Sequence, residues 1–514
     1  MVYSVLTEPV IPVLMPDGKE KSIGIKEVFL EAHNIKDITG SNPLERYALL
    51  RLLIAFAMDM LHPETSYDRM DLLEAGRFDA KVLETYIQEC EKNGPRFDLF
   101  DPTYPFMQSR YDEETDKGKI KNIANVCPPL PQGNNHVFID HRYENQHSLS
   151  AAEAFRSMCS FYVFCFPVGA KGYPSGVNNT SPLYVIALGD TLFETIVFNT
   201  LSKSELGNIP YGLDLVPWKG DCNVIPKKSF ANVSVIEAYT WMPRRITLIC
   251  DNDGMVRTLY LQPGHDFKGN ELWMDPHVPY KKNEDNSLSS IKPKLGKQLW
   301  RDVSSIVYDK NHRNYYQPSV LYHLVDLFEE ESISLFTNIR IMGLVLENNA
   351  KYIIWYEDTL SLPSFLMNNE EKANLFRLDV NMIEIMSNQI YKIVRDNVDN
   401  KTEEDEKKKK KKFEASRNLK HEVATQCQQF FLQAAHDVLF GNVIREINEG
   451  IAVEKHYESF NSAITKIIHD TLTHVLYTAG NDTNAILRQM EAEKWIWIHF
   501  NKIIKERKEQ YAGS

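Results

Sequence analysis

The stretch CFPVGAKGYPSGVNNTSPLY, residues 165 to 184, carries Gly169, Gly172 and Gly176 with Lys171 between the first two. Glycines at that density let another molecule come close to the backbone, and the lysine adds one cation. A nucleotide P-loop would need GxxxxGK followed by Ser or Thr, with the lysine opening a helix under the phosphates. Here Lys171 precedes Gly172 and Tyr173-Pro174 follow, which does not continue as such a helix. The dinucleotide pattern GxGxxG is absent too. What remains is a donor-bearing loop suited to pressing its main chain against a groove or another chain, with an ordinary structural turn as the competing reading.

Other candidate chemistry is thinner. His136, His141 and His147 fall at spacings that do not align their rings on one helix face, and no cysteine joins them, so they read as unligated. No HExxH, GxSxG or other catalytic motif occurs, and nothing marks the chain as an enzyme. Basic residues gather at Arg244 and Arg245, and again at Lys281, Lys282, Lys292, Lys294, Lys297 and Arg301. The second group is interleaved with Tyr280 and Trp300, a pattern that fits phosphate and base contact as well as a solvated face. Seven scattered cysteines without a CxxC fit reduced thiols and a cytoplasmic location, and they offer no zinc-ribbon spacing.

These residues need a scaffold, and 514 residues exceed what one core organises. A net charge of −12 argues against a surface that binds polyanions everywhere but leaves room for a local basic site. The N-terminal MVYSVLTEPVIPV has neither a basic nor an apolar signal region, and no apolar run approaches the ~18 residues of a membrane span, so no leader, anchor or membrane partner is expected. Residues 1–365 mix short strands, prolines and short helices. SVLTEPVIPVLMPDGKE reads as strand, turn at Pro16-Asp17-Gly18, and return. Asn42 and Pro43 are placed as N-cap and first residue of a strongly apolar helix. Ser150 and Glu153 form a capping box ahead of a second buried run that ends just before the glycine loop.

From residue 372 to 514 the period becomes helical. Leu375, Leu378, Met382, Ile385, Met386 and Ile393 fall on one face; Val423, Cys427, Phe430, Ala434 and Val438 on a second; Phe460, Ile464, Ile467, Thr471 and Val475 on a third; Ile486, Met490, Trp497 and Phe500 on a fourth. Gly441, Gly450 and Gly480 sit where helix ends are wanted. The expected fold is α+β: a large mixed α/β N-terminal domain, then a C-terminal four-helix bundle. The low-complexity KTEEDEKKKKKKFE, residues 401 to 414, reads as a solvated connection, with an auxiliary phosphate contact as the sharper alternative.

Several local patterns, in order over nearly the whole chain, resemble the large subunit of the type I-E CRISPR Cascade complex, the CasA family. They are LTEPVIPV, GIKEVFLEAHNI, NPLERYALLRLLIAF, YPFMQ, HVFID, the glycine loop, PWKGD, WMPRRITL, ELWMDPHVPY, LWRDVSSIV and the terminal helical stripes. The resemblance implies a non-catalytic DNA reader that finds the short motif beside a target (the PAM) in duplex DNA and helps open the duplex for the guide RNA. It implies as partners the guide RNA 5′ end, target double-stranded DNA, the small and backbone Cascade subunits, and a recruited helicase-nuclease. A scaffold subunit that bridges the others without reading the PAM is the alternative.

Carried over by position, the resemblance sets Gly169, Ala170, Lys171 and Gly172 against the PAM minor groove, whose narrow floor and degenerate code suit a bare main chain. The family's lysine finger falls at Gly264 or His265, with Lys268 nearby. Its glutamine wedge falls at Asp326, Leu327 and Phe328, where no glutamine occurs; an apolar wedge would take its place. The loop that meets the guide RNA and neighbouring subunits falls at Phe138 and Asp140, an acid replacing the family's amide. Lys281, Lys282, Lys292, Lys294 and Lys297 are the candidate phosphate contacts. LSAA and DNDG stand where some relatives carry paired zinc cysteines, so no metal or other cofactor is expected.

Overall fold

The computed structural model describes residues 2–511 except 128–129, 131–146, 166–173, 175, 179–180, 213–215, 222–223, 225–226, 269–272, 310–313, 328–335, 348–350 and 400–420. It divides into two units, Met1–Ile306 with His312–Ser364, and Val307–Asn311 with Phe365–Ser514.

The first unit is built round the Pro43–Leu61 helix. Asn42 caps it, its side-chain oxygen accepting from the Glu45 N–H at 3.0 Å, and proline fills the first turn. Nearly every side chain from Leu44 to Met60 is buried, so the helix is apolar on all sides and must be wrapped by other elements. The helices Ala151–Val163, Leu192–Asn199 and Val235–Tyr239 pack against it. The capping box at Ser150 and Glu153 forms as the sequence predicts, the Ser150 N–H donating to the Glu153 carboxylate at 2.8 Å.

Short sheets surround these helices. Ile11–Leu14 pairs antiparallel with Glu20–Ile23 and with Asp37–Ile38, the turn between the first two using Gly18 at φ +82°. Met255–Pro263 pairs antiparallel with Arg244–Cys250 and with the shorter Ile120–Asn122 and Leu149–Ser150. A long hairpin, Phe336–Glu347 with Lys351–Pro363, adds Tyr184–Leu188 to its inner strand. Among the described residues, no helix is long and apolar enough to cross a membrane.

The second unit is a closed ring of four helices. Glu370–Val394 packs on Glu422–Val438 and on Thr483–Tyr511, and Val453–His474 packs on the same two. Its core is Phe376, Val380, Ile383, Met386 and Ile390 against Cys427, Phe431 and Ala435, Phe460, Ile464 and Ile467, and Ala492, Ile496 and Phe500. The third sequence stripe is in phase with this core down to Thr471. The first, second and fourth straddle the core edge: Met382, Met386, Ile393, Cys427 and Phe500 are buried, while Ile385, Phe430, Ile486 and Met490 face outward. Gly441 does not end a helix: it lies in the wider turn Leu439–Val443, from which the chain continues helically into Ile444–Asn448. Gly450, at φ +67°, is the terminator.

The bundle holds a charged interior. Asp379 is fully buried between Arg507, which forms an ion pair with it, and the His456 Nε2, 2.8 Å away. The other His456 nitrogen lies 2.9 Å from Glu446. Burial pushes the His456 pKa down, but its hydrogen bonds to and attraction by Asp379 and Glu446 outweigh that and hold it above the ordinary value. A raised folded pKa means that this stabilisation is complete below the unfolded-state value of about 6.5 and fades as pH rises through the folded value. The free energy of urea unfolding is therefore expected to fall from pH 5.5 to 8.5, and His456→Gln to flatten that fall. An equal slope in the variant would remove His456 as its source.

Candidate nucleic-acid interface

Residues 166–173, which include Gly169, Ala170, Lys171 and Gly172, lie outside the described residues, but both ends of that segment are described. The Ala151–Val163 helix delivers the chain to Cys165, and the Gly176 N–H donates to the Cys165 carbonyl at 2.8 Å, closing a narrow neck. A Cβ on Gly176 would stand 3.2 Å from the Val163 carbonyl oxygen, so the two legs are nearly in contact. The buried Arg244 guanidinium donates to the Pro174 carbonyl on the exit leg.

Asn178, two residues past the neck, is held from three sides. Its Nδ2 donates to the Tyr184 hydroxyl at 3.1 Å and to Asp275 at 2.9 Å, and its Oδ1 accepts from the Trp273 indole at 3.2 Å. Trp273 and Asp275 both come from the ELWMDPHVPY stretch, which thus braces the glycine loop. Asp275 also receives the buried Arg51 of the central helix at 2.8 Å, and the Arg51 guanidinium lies over the Tyr239 ring, 4.1 Å from its centre. The neck is tied to the core through an ion pair.

The segment proposed for the lysine finger comes to the same place. Asp266–Phe267 runs parallel to Ser229–Phe230, and Phe267 packs with Val177, Val233, Ala238 and Trp241. His265 packs at a steep tilt against Phe230 and Trp241; burial, with the Lys228 charge second, pushes its pKa down to about 4. A neutral, packed imidazole cannot act as a cationic finger at neutral pH. Lys268 can: its side chain is exposed and meets Asp266 at 2.8 Å. Lys227 and Lys228 are exposed on the neighbouring strand's approach, and sequence reasoning missed them. The available signal was their place ahead of a short strand, whose parallel pairing sets Lys227 and Lys228 next to Gly264 and Asp266, at the opposite end of the pairing from Lys268.

The remaining candidates separate. Leu327 is buried, so its side chain is part of the core rather than a wedge, and Asp326 pairs with His323 at 2.9 Å. Phe328, Phe138 and Asp140 lie outside the described residues, as do His136, His141 and the 401–414 stretch. Lys281 lies on Tyr280–Lys282, paired with Leu288–Ser290; Lys281, Lys292 and Lys294 are exposed, Lys282 half-buried, and Lys297 pairs with Asp302. Tyr280 and Trp300 are buried, which removes them as stacking platforms. Arg244 and Arg245 are not a surface patch either. They are 4% and 2% exposed, and Arg245 forms an ion pair with Asp116 at 2.8 Å.

Glu205, His323 and Asp326 bring one potential ligand atom each within 4.8 Å of one another. Glu205 already forms an ion pair with the buried Arg69 and accepts from the Ser202 N–H and hydroxyl, so a cation is present there in the form of the guanidinium.

The fold class is α+β with a helical C-terminal unit, and in the first unit a hydrogen-bonded neck at Cys165 and Gly176 stands on either side of the glycine segment. The chain belongs to the CRISPR-associated protein Cse1 family, whose pattern matches residues 5–471. It is 27% identical over 384 residues, 73% of each chain, to the CRISPR-associated protein CasA/Cse1 of Thermus thermophilus. Its fold is that of the Cse1 protein from Acidimicrobium ferrooxidans, with a TM-score of 0.75 at 19% identity over 98% of this chain and 99% of that one. A chain of a CRISPR RNA-guided surveillance complex superposes with a TM-score of 0.74 at 15% identity, covering 96% of this chain and 99% of that one. The family expected from the ordered sequence patterns is thereby the family found.

Proposed function

We propose that this chain is the non-catalytic large subunit of a type I-E CRISPR surveillance complex and recognises the PAM in duplex DNA through the minor groove. In this reading Gly169 to Gly172 supply main-chain donors to the groove floor, while Lys268, Lys227 and Lys228 meet phosphates alongside. Phosphate contacts position the protein and carry no sequence information, which leaves discrimination to the loop. Recognition would promote duplex opening and guide-RNA pairing and help recruit the helicase-nuclease, with the other Cascade subunits and the guide RNA 5′ end as partners. The observation that carries the reading is the neck: a glycine-rich segment tied at Cys165, Pro174, Gly176 and Asn178 is mounted rigidly at its base. A likeness to a surveillance-complex chain supports the same assignment.

The scaffold reading draws on two observations, the buried Leu327 and the neutral His265, which weaken the wedge and finger. One experiment separates the two. The complex is reconstituted with guide RNA, and its binding to duplexes randomised beside the matched tract is measured with wild-type chain and with Gly172→Leu. The PAM reading expects the variant to lose roughly tenfold or more in affinity for the preferred duplexes while guide-RNA assembly is unchanged. Binding without sequence preference, or indifference to the substitution, would favour the scaffold.

A further inference from the structure

A groove of about 890 Å³ opens in the first unit between residues 99–111 and the strands Arg244–Cys250 and Met255–Pro263. Its floor is fixed by Gln108, which is fully buried. The Gln108 Nε2 donates to the Leu99 carbonyl at 2.6 Å, and its Oε1 accepts from the Leu248 N–H at 2.7 Å. Phe100, Pro102, Pro105 and Ile249 line the groove with the paired rings of Tyr111 and Tyr260, whose centres are 4.6 Å apart.

The rest of the lining is acidic, and both acid-bearing turns are set in advance. Asp101 Oδ1 accepts from the Thr103 N–H at 2.8 Å and the Tyr104 N–H at 2.6 Å, while its other oxygen has no partner among the described residues. Asp251 Oδ1 accepts from the Asp253 and Met255 N–H groups, each at 2.9 Å, and its second oxygen forms an ion pair with Arg257. That turn holds Asp253 out in solvent, 4.0 Å from the same arginine. The Tyr111 hydroxyl donates to Glu113 at 2.6 Å, a carboxylate that also pairs with Lys117. Among the described residues, Arg110 is the one cation in the lining itself.

We propose that this groove seats an extended segment of another protein that carries an arginine, with the guanidinium against the Tyr111 and Tyr260 rings and its charge toward Asp101 and Asp253. The site is separate from the minor-groove reading above and does not depend on it. Prolines and aromatic rings form the kind of trough in which an extended main chain docks. A guanidinium is planar and weakly hydrated, so it can lie on a tyrosine face and still meet a carboxylate. Turns already fixed by Asp101 and Asp251 leave little to order on binding. The same carboxylates repel a phosphate backbone, which makes this a protein-facing surface on a chain whose other candidate sites face nucleic acid.

Random peptides displayed on phage, panned against the full chain, supply the probe; the most enriched sequence is then synthesised with a fluorophore and titrated by anisotropy. Enriched peptides are expected to carry arginine beside proline or an aromatic residue. The synthetic peptide should bind roughly fivefold more weakly to the double variant Asp101→Asn, Asp253→Asn and to Tyr111→Ser, and about twofold more tightly to Arg110→Gln. Asparagine keeps the oxygen that sets the turn at 101, and the side chains of Asp253, Tyr111 and Arg110 are exposed, so these variants are expected to unfold in urea like wild type. No enrichment, enriched peptides without a basic residue, or an affinity indifferent to all three variants would overturn the proposal. Displacement of the peptide by arginine amide at equal concentration would make the groove a small-molecule pocket and overturn the extended segment. Displacement by oligothymidylate would overturn the protein partner in favour of a nucleic acid.

Discussion

Asp275→Ala is expected to destabilise the first unit by about 3–5 kcal/mol, the cost of leaving one member of a buried ion pair uncompensated. Asp275 is 1% exposed. One of its oxygens accepts from Arg51 at 2.8 Å and from Asn178 at 2.9 Å, and the other accepts from the His277 N–H at 3.0 Å. Burial pushes the Asp275 carboxyl up, yet Arg51, His277 and Asn178 together hold it below the ordinary carboxylate value. A depressed folded pKa contributes stability that is present above the unfolded-state value of about 3.9 and is lost as pH falls through the folded value. Urea unfolding of the full chain at neutral pH measures the effect. A loss below about 1 kcal/mol would mean that Arg51 finds other company, for instance the Tyr239 ring.

The bundle carries the second large effect. Asp379→Ala is expected to cost about 3–5 kcal/mol, because His456 and Arg507 would face each other with no carboxylate between them. Asp379→Asn preserves shape and some hydrogen bonding but not charge, so it should fall between wild type and alanine. Guanidinium unfolding of the three proteins gives the order. A wild-type-like alanine variant would show that Arg507 relaxes toward solvent. Because Arg507 also lies over the Phe460 ring, at 4.7 Å, such relaxation would have to break that contact too.

Local signals in the sequence were read accurately where the physics is local. Asn42 with Pro43, and Ser150 with Glu153, act within one helical turn, and both form as expected. All four stripes were legible as helices, but only the third also in rotation. Phe430 and Phe431 are adjacent, as are Ile385 and Met386, and either member of such a pair satisfies a period of 3.6 residues; packing chooses between them. The double arginine at 244 and 245 misled for the opposite reason. Its partners, Pro174 and Asp116, lie 70 and 129 residues away, so nothing near it announces burial. Trp300 and Tyr280, left open between base contact and a solvated face, are buried for the same long-range reason. The family's order of short patterns was the strongest guide, since it integrates over distances that no window of residues spans.

The joined ankles of the glycine loop have a consequence for change over time. With Cys165 and Gly176 already bonded, the chain between them closes a loop whether or not its middle is altered. Lengthening a flexible loop is cheap, about 0.6 kcal/mol for each doubling. The span is thus a cassette: its length and letters can drift, or be grafted from a relative, while the hinge-side core stays folded. On the minor-groove reading proposed above, this span is where a change of PAM preference would be written.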